Sequence, residues 1–484
     1  MKPNYTELFA ALSPEAALIV GALLVVVLDL TLGRKKIAEA RWHAAVRIAL
    51  LAVGLAGCFT FASGRPGAEF GGAFMLDALA QATRYSVLVL AALSLALLPG
   101  TARMRHPAEF VAVVLFATAG FSVMATAQNL LIAFLALELA SLSLYVLAGF
   151  DKTRPESAEA ALKYFLFGGV SAAFLLFGFS LLYGLTGSIE LNVIARELGA
   201  QAASPLLVVA LVMVLVAFGF KAAAVPFHLW APDVYQGAPA PAAALIASAS
   251  KVAGFTFFAR LLWSGTGASS GQAPAWMLTL AILAGASLLL GNVAALAQRN
   301  LRRLLAYSAI AHAGIMLLGV MTGTRFGPGA LLYYTFTYGL ATVGTFGVIA
   351  IIERAGRCQD LDDLAGLYRR SPLLAGCLLM FVLSLAGIPP LAGFFGKFLL
   401  FSQALRLTGL TGPAGWLAIA AIALSAVALY YYLIVLKRAF VTPAVAGTEA
   451  RIAVPLKPAL ALLLAAALLL ALGVFPSSAL RLVT

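Results

Sequence analysis

The fold is decided by one stretch, which reads Phe218-Gly-Phe-Lys221-Ala-Ala-Ala-Val-Pro226-Phe-His228-Leu-Trp230-Ala-Pro232-Asp233-Val-Tyr-Gln236-Gly-Ala-Pro239-Ala-Pro241 and continues to Ser248-Ala-Ser250-Lys251. Lys221 lies about sixteen residues into an apolar run long enough to span a membrane as a helix. Pro226 removes a backbone donor and so interrupts that helix before it has crossed. A polar turn follows, and Lys251 lies about ten residues into the next apolar run. The stretch therefore predicts a broken transmembrane helix with two lysines close to the break.

Lys221 and Lys251 should lie at similar depths near the middle of the membrane, because the chain reverses direction between them. A lysine at that depth costs roughly 2.5–3.5 kcal/mol on insertion scales. Irregular backbone is tolerated there only where protein or a water-filled cavity surrounds it. Two lysines beside a broken helix therefore indicate an ion path. The alternative is that each lysine snorkels or satisfies a helix end, although at this depth the interface is hard to reach.

The composition indicates a polytopic helical membrane protein. Of 484 residues, 63% are hydrophobic and 11% are charged, which is unlike a soluble domain. The net charge of +13 does not indicate nucleic-acid binding, since the basic residues lie in short loops between apolar runs. The first apolar run, at about 16–32, lacks a small-residue cleavage site and is predicted to remain as a helix.

No site for redox or nucleotide chemistry is visible. Cys58, Cys358 and Cys377 are scattered without a C-x-x-C spacing, which argues against iron–sulfur ligation and disulfides. The four histidines include no obvious pair for a haem, and no phosphate-binding glycine motif occurs. We therefore expect no cofactor in this chain, and an ion gradient or a partner subunit as its source of energy.

Apolar runs of about twenty residues predict an all-α integral membrane protein with about fourteen transmembrane helices. The predicted spans are 16–32, 44–63, 79–98, 108–127, 130–150, 160–184, 205–230, 242–263, 275–297, 303–321, 328–352, 373–403, 415–436 and 458–475. Alternate loops carry most of the basic residues, namely Arg34, Lys35, Lys36, Arg41, Arg47, Arg103, Arg105, Lys152, Arg154, Arg299, Arg302, Arg303, Arg354, Arg357, Arg369, Arg370, Lys437, Arg438, Arg451 and Lys457. By the positive-inside rule these loops face the cytoplasm, so both termini are predicted on the periplasmic side.

The twelfth predicted span contains a second interruption, Gly387-Ile-Pro389-Pro390, followed by Lys397. Lys397 lies 176 positions after Lys221, and His312 lies 174 positions after Glu138. The two offsets are nearly equal, which predicts a duplicated unit of about five spans. Because five is an odd number of membrane crossings, the second copy would have the opposite orientation in the membrane. The predicted parts are a three-helix segment at 1–105, a first repeat at 106–265, a second repeat at 266–440, and a loop with the last span at 441–484.

Glu138 is the acidic candidate, midway along the fifth span in the apolar segment Leu135–Tyr145. An unpaired carboxylate there would be neutral, whereas a nearby lysine would keep it charged. Lys221 is its predicted partner. The alternative is a static ion pair that only joins two helices, although buried ion pairs are poor stabilisers.

His312 is predicted to relay protons between Lys251 and Lys397, because imidazole exchanges protons near neutral pH. The alternative is a hydrogen-bonded core histidine. His228 lies past the helix break, where it either lines a water inlet or caps the half-helix. Of the two histidines, only His312 belongs to the predicted relay.

Lys163 follows Glu159 by one helical turn near the predicted cytoplasmic end of the sixth span. A surface ion pair or a snorkelling lysine competes there with a role in the relay. Arg84 and Asp77, both on the third span, are predicted to anchor a helix end, with no part in the chemistry.

The stretch Lys221-Ala-Ala-Ala-Val-Pro-Phe-His-Leu-Trp-Ala-Pro-Asp-Val-Tyr-Gln-Gly-Ala-Pro239 resembles the signature of the antiporter-like membrane subunits of respiratory complex I. Within that family, three further segments are similar to the subunit N branch: Leu137-Glu-Leu-Ala-Ser-Leu-Ser-Leu-Tyr145, Leu162-Lys-Tyr-Phe-Leu-Phe-Gly168 and Gly393-Phe-Phe-Gly-Lys-Phe398. The resemblance covers essentially the whole chain. The assignment to subunit N depends on two features. One is Lys397, at a position where one of the other antiporter-like subunits has glutamate, and the other is the serine-rich helix after Glu138.

The resemblance implies a proton-translocating subunit of the membrane arm of NADH-quinone oxidoreductase, without a redox centre of its own. The implied roles are a coupled pair for Glu138 and Lys221, a central relay for Lys251, a bridge for His312, an outlet for Lys397, and a relay lysine on the sixth span for Lys163. It also implies FMN, iron–sulfur clusters and quinone in partner subunits. Sibling antiporter-like subunits and small membrane subunits would be the partners, in the bacterial inner membrane.

Other functions stay open on the sequence. A subunit of a multi-subunit sodium/proton antiporter shares the signature, and a hydrogenase-linked pump is hard to exclude. A membrane-arm scaffold with vestigial lysines predicts that neutralising Glu138 affects assembly but not coupling. Co-purified flavin and iron–sulfur subunits would indicate complex I, whereas cation exchange by a complex that lacks them would indicate the antiporter.

Overall fold

The computed structural model of the chain describes residues 5–33, 37–63, 67–98, 106–200, 204–265, 276–356, 358–444 and 450–481. Its α-helices are α1 (Tyr5–Ala11), α2 (Ser13–Leu28), α3 (Ala38–Ala62), α4 (Ala78–Leu97), α5 (Pro107–Thr126), α6 (Leu130–Ala148), α7 (Pro155–Thr186), α8 (Leu191–Ala200), α9 (Pro205–Ala222), α10 (Trp230–Gly237), α11 (Ala240–Ala247), α12 (Ala249–Gly265), α13 (Trp276–Leu296), α14 (Leu301–Phe326), α15 (Gly329–Ala355), α16 (Leu367–Arg370), α17 (Pro372–Ala386), α18 (Ala392–Thr408), α19 (Pro413–Phe440), α20 (Leu456–Val474) and α21 (Pro476–Leu480). A π-helical turn, Asp29–Gly33, extends α2, and a 3-10 turn, Leu361–Leu364, precedes α16. One short hairpin pairs β1 (Gly67–Glu69) with antiparallel β2 (Phe74–Leu76).

Thirteen stretches of the described chain are long and apolar enough to cross a membrane, which confirms the predicted all-α membrane fold. Each predicted span except the twelfth coincides with one of them. The twelfth, predicted at 373–403, is divided into α17 and α18, of 15 and 17 residues. Helices dominate because lipid offers the backbone no hydrogen-bond partners, so each spanning segment must satisfy its own.

Helix starts follow from proline and from capping side chains. The first residue is proline in α5, α7, α9, α17 and α19, where the backbone N–H would have no helical partner. Asp77, Asn129, Ser204 and Asn300 each precede a helix and accept hydrogen bonds from backbone N–H groups of its first turn. Both signals are local, so the starts of these helices are readable from the sequence.

Two membrane-spanning helices are broken where the sequence predicts it. The helix α9 ends at Ala222, and Ala223 takes a left-handed conformation with φ 58° before α10 begins at Trp230. In the same way α17 ends at Ala386, followed by Gly387 with φ 87°. Each break leaves the last carbonyl oxygens of a half-helix inside the protein, without helical N–H partners.

A third break, between α11 and α12, differs from the predicted unbroken span at 242–263. Ser248 leaves the helical region (φ −115°, ψ −83°), and its hydroxyl donates to the carbonyl oxygen of Ala244 at 2.6 Å. A serine hydroxyl can replace a backbone donor in this way. No glycine or proline marks the position, so the apolar pattern does not reveal it.

The packing of α5 against α6 recurs between α13 and α14. Gly120 approaches α6 so closely that an added Cβ would lie 2.9 Å from the carbonyl oxygen of Ala136. Gly291, 171 positions later, would lie 2.9 Å from the carbonyl oxygen of Tyr307, which is 171 positions after Ala136. The absence of a side chain at both glycines permits the same close helix contact.

The bridges that begin α6 and α14 repeat with nearly the same spacing. Asn129 pairs with Glu190, and Asn300 pairs with Asp360, in isolated antiparallel bridges. A spacing of 171 aligns His312 with Ser141. Glu138 lies three residues before Ser141, about one helical turn away. The predicted pairing of His312 with Glu138, at an offset of 174, is therefore displaced by about one turn from the pairing that the helix contacts indicate.

The loops gather at two ends of the molecule. At one end the basic loops contact one another through Leu301 N and Gln359 O at 2.8 Å, and through Ile452 N and Arg370 O at 3.0 Å. At the other end, β2 precedes Asp77, which binds Arg260 at 2.7 Å. The predicted basic residues Arg34, Lys35, Lys36, Arg103, Arg105 and Arg357 lie outside the described residues.

The predicted association of Arg84 with Asp77 is wrong. Arg84 is fully buried and binds Glu15 of α2 at 2.7 Å, and it also donates to the carbonyl oxygen of Ala11 at 2.9 Å. The hydroxyl of Ser122 donates to the same carboxylate at 2.5 Å. The arginine therefore joins α4 to α2 in the interior and binds the last carbonyl oxygen of α1, without Asp77 as its partner.

Candidate functional site

Lys221 lies in the last turn of α9 and is buried. Its Nζ donates to the hydroxyl of Ser141 on α6 at 3.0 Å. Glu138, one turn earlier on α6, is half-buried and lines the same small cavity as Ser141 and Lys221. In the described part of the chain no ion pair within 4.0 Å joins Glu138 to Lys221, so the predicted direct pair is replaced by a serine-bound lysine with the carboxylate nearby.

Lys251 lies in the first turn of α12, just after the break at Ser248, and is only 3% exposed. Its Nζ donates to the carbonyl oxygen of Ala222 at 3.0 Å and to that of Ala309 at 3.1 Å. Ala222 is the last residue of α9, so the lysine is held by the end of the broken helix. The ammonium also lies 5.9 Å from the centre of the Tyr338 ring, within the range of a cation–π interaction.

Lys397, on α18, is held in the same manner. Its Nζ donates to the carbonyl oxygens of Leu385 and Ala386, each at 3.0 Å. These residues end α17, where helix carbonyls lack N–H partners and the helix dipole is negative. The breaks after α9 and after α17 therefore both present main-chain oxygens to a buried ammonium.

His312 lies on α14 and is 4% exposed. Its Nδ1 is 2.6 Å from the hydroxyl of Tyr334, and its Nε2 is 3.2 Å from the hydroxyl of Tyr432. The ring of Tyr338, which Lys251 also approaches, has its centre 4.9 Å from that of the histidine ring. The imidazole is thus joined to hydroxyls on α15 and α19 and lies near the surroundings of Lys251.

Lys163 lies in an ion cluster at the basic end of the molecule. Its Nζ contacts Glu159 and Asp233, each at 2.6 Å, and its side chain is 38% exposed. Asp233 also binds Arg303 at 2.6 Å. Within the described residues the ammonium of Lys163 contacts these carboxylates, and the structure does not bring it into contact with the buried lysines or with His312.

His228 lies between α9 and α10 and is 8% exposed. Its carbonyl oxygen accepts from Ala231 N at 2.9 Å in the first turn of α10. Its Nδ1 is buried and has no hydrogen-bond partner among the described residues. The backbone of His228 therefore supports the start of the half-helix, while its ring stays available to a further polar partner.

The sequence analysis missed the neutral partners of the buried lysines and of His312. Ser141, Tyr334 and Tyr432 supply hydroxyls, and the remaining acceptors are main-chain carbonyls. The signal for the tyrosines was present, because Tyr333-Tyr334 and Tyr430-Tyr431-Tyr432 stand in otherwise apolar spans. Carbonyl acceptors carry no residue-specific signal. Within the described ranges no group of three His, Cys, Asp or Glu side chains could hold a metal ion.

Comparisons with known proteins identify the family. A family model described as NADH:quinone oxidoreductase/Mrp antiporter, transmembrane, matches residues 127–425. The chain is 48% identical over 494 aligned positions to NADH-quinone oxidoreductase subunit N 2 of Acidobacterium capsulatum, covering 99% of both chains.

Solved structures agree with these sequence relatives. A chain of respiratory complex I from Thermus thermophilus with bound aureothin superposes with a TM-score of 0.81 at 38% identity, covering 97% of this chain and 98% of that chain. A chain of the Mrp complex from Dietzia sp. has a TM-score of 0.80 at 22% identity, covering 98% and 96%, which shows a shared fold alone. On these matches, the chain belongs to the subunit N family of NADH-quinone oxidoreductase, an antiporter-like membrane subunit family of respiratory complex I.

Proposed function

We propose that this chain translocates protons within the membrane arm of an NADH-quinone oxidoreductase in the bacterial inner membrane. The observation that carries the proposal is the burial of Lys221, Lys251, His312 and Lys397, each less than a tenth exposed, inside a bundle of membrane-spanning helices. Ionisable groups at this depth are costly and belong to ion paths. The chain would perform no redox chemistry itself and would hold no cofactor. FMN, iron–sulfur clusters and quinone would belong to partner subunits.

In this mechanism protons enter from the cytoplasm near the break between α9 and α10 and load Lys251 through water. They then pass by way of His312 to Lys397 and leave on the far side of the membrane. Lys163 would act at the entrance, because it lies in the ion cluster at the basic end. The carbonyl oxygens at the ends of α9 and α17 support this order, since each provides a place where an ammonium is stabilised without a fixed counter-charge.

Glu138 and Lys221 would form the switch. When the two approach, the carboxylate stabilises the charged lysine; when they separate, the lysine is left desolvated beside other cations and releases its proton more readily. A change of about 1.4 kcal/mol shifts a protonation equilibrium tenfold. An approach to about 4 Å supplies roughly 4 kcal/mol at an effective dielectric of 20. Glu138, Ser141 and Lys221 line one cavity, and Lys221 binds the neutral hydroxyl of Ser141. This arrangement supports a switch whose lysine and carboxylate are apart in this structure.

We also propose that two inverted repeats, at 106–265 and 266–440, carry this machinery, between the three-helix segment 1–105 and the last span in 441–484. The recurring contact of Gly120 and Gly291 supports a spacing of 171 in the first helix pair of each repeat. The left-handed residues Ala223 and Gly387 support a spacing of 164 at the breaks. A loop shorter by seven residues in the second repeat would account for the difference.

The test is proton pumping by the complete purified complex in vesicles. In Lys397→Ala, we expect proton transfer through this subunit to slow by roughly 10²–10⁴-fold, the contribution of a positioned proton-transfer group, so that protons pumped per NADH fall while quinone reduction by NADH continues. Lys437→Ala removes an exposed lysine at the basic end of α19 and should pump normally. Undiminished pumping by Lys397→Ala would reject the relay.

The partners separate complex I from the sodium/proton antiporter. We expect the sibling antiporter-like subunits, small membrane subunits, and flavin and iron–sulfur subunits to co-purify with this chain and to be detected by mass spectrometry. A preparation that lacks the redox subunits and exchanges sodium for protons would assign the chain to the antiporter instead.

A further inference from the structure

Both ring nitrogens of His312 face tyrosine hydroxyls that come from different helices. Tyr334 of α15 lies on the Nδ1 side and Tyr432 of α19 on the Nε2 side. We propose that these two hydroxyls carry protons into and out of His312, so that this segment of the relay is built of protein groups and needs no water. The inference rests on the proposed proton translocation and extends it to residues outside the set predicted from the sequence.

The Tyr432 end of this hydroxyl–histidine wire, defined as Ser308, Tyr432, His312 and Tyr334, adjoins Lys251. The hydroxyl of Tyr432 is hydrogen-bonded to that of Ser308, and both side chains are buried. The next residue on α14, Ala309, accepts a hydrogen bond from the ammonium of Lys251 at 3.1 Å. The ammonium of Lys251 therefore lies beside the turn of α14 that carries Ser308, and a proton that it releases would enter the wire at that end.

The Tyr334 end of the wire lies against α18, the helix that carries Lys397. The ring of Tyr334 lies against Gly396, where an added Cβ would be 2.7 Å from its Cδ2. Lys397 is the next residue along α18. The absence of a side chain at position 396 lets the tyrosine ring approach the helix that carries the predicted outlet lysine.

The chemistry of the wire conserves protons at each group. A neutral imidazole has one N–H donor and one acceptor nitrogen, and a hydroxyl both donates and accepts. As Tyr432 receives a proton on its oxygen, its own proton passes to Nε2 of His312. The Nδ1 proton passes to Tyr334, and the original Tyr334 proton moves on towards Lys397. Both tyrosines end neutral, and the imidazole ends with its proton on Nε2, so it must lose that proton and regain one on Nδ1 before the next transfer.

The chain supplies a matched control beside Tyr334. Tyr333 is also buried, but its hydroxyl donates to the carbonyl oxygen of Leu472 at 2.9 Å. Tyr333→Phe therefore removes a buried hydroxyl whose hydrogen bond lies outside the wire.

The experiment compares Tyr334→Phe and Tyr432→Phe with Tyr333→Phe in the complete complex, reconstituted in vesicles. For the two variants of the wire we expect proton transfer through this subunit to slow by roughly 10²–10⁴-fold, so that protons pumped per NADH fall, whereas Tyr333→Phe should stay close to the unmodified complex. Lys397→Ala is included in the series. Normal pumping by both wire variants alongside impaired Lys397→Ala would overturn the wire and leave the proposed function standing. Normal pumping by all three would remove the proposed function itself.

A second measurement separates proton transfer from simple positioning of the histidine ring. Difluorinated tyrosine introduced at position 334 keeps the ring and the hydroxyl but makes the phenol more acidic. If the hydroxyl transfers protons, the pH profile of pumping shifts towards lower pH; if it only orients His312, the profile is unchanged and the wire is wrong. This measurement also decides the matter if the phenylalanine variants fail to assemble. A loss in Tyr333→Phe equal to that in the two wire variants would likewise overturn the proposal.

Discussion

Lys251 and Lys397 are bound by main-chain carbonyl oxygens, whereas Lys163 is bound by two carboxylates. An ammonium next to a carboxylate is held in its charged form by the opposite charge. Carbonyl dipoles favour the charged form less strongly, so a lysine held only by them can lose and regain a proton at smaller cost. This difference between residues of one type distinguishes the proposed relay groups from the lysine of the ion cluster.

The ion pair of Arg84 and Glu15 gives a prediction about stability. Both side chains are less than a twentieth exposed, and removing one partner of such a pair leaves an uncompensated buried charge, at a cost of about 3–5 kcal/mol. We expect Arg84→Ala to lower sharply the thermal stability of this subunit in the purified complex. Arg196→Ala breaks an exposed contact with Glu197 and should cost no more than about 1 kcal/mol. Similar melting curves for the two variants would contradict the prediction.

At the scale of elements, the breaks between α9 and α10 and between α17 and α18 lose helical hydrogen bonds but create binding sites for lysines. Each break gives up helical hydrogen bonds in the middle of a span, which lipid does not replace. In return, each offers carbonyl oxygens to a lysine from another helix. Interrupted helices of this kind are how transporter folds bring the backbone to an ion site.

The glycine that follows the second break is predicted to be indispensable. A Cβ at Gly393 would overlap the backbone oxygen of Ser384 on α17, so Gly393→Ala must push α18 away and displace Lys397. We expect protons pumped per NADH to fall several-fold, with quinone reduction less affected. Gly376→Ala is the control, because nothing lies within 4 Å of a Cβ at Gly376, also on α17. Normal pumping by Gly393→Ala would show that the close approach is dispensable.

At the scale of the whole molecule, the two proposed repeats would share a scaffold but differ in their polar side chains. With the spacing of 171, Ser141 would correspond to His312. With the spacing of 164 at the breaks, Asp233 would correspond to Lys397. Ser141 binds Lys221, and Asp233 binds Lys163 and Arg303. Corresponding positions would therefore serve different electrostatic purposes, as expected if one repeat holds the entrance and the other holds the outlet.

The orientation predicted from the basic loops can be tested on the whole chain. Alkaline phosphatase folds to an active enzyme outside the cytoplasm, where its disulfides form. Fused after the last residue, it should be active, whereas inserted in the basic loop 441–455 it should be inactive. The reverse pattern in intact cells would show that the positive-inside rule gives the wrong orientation here.

The sequence by itself determined the membrane class, the positions of the spans, two of the three helix breaks and the identity of the buried cations. These are readable because hydropathy, proline and an isolated lysine each act locally. The tertiary structure decided which groups meet. Lys221 binds Ser141 instead of the expected Glu138. Arg84 forms an ion pair with Glu15, and His312 lies between the hydroxyls of two tyrosines. Contacts of this kind depend on helices far apart in the chain and often on backbone carbonyls, which every residue possesses, so no residue pattern announces them.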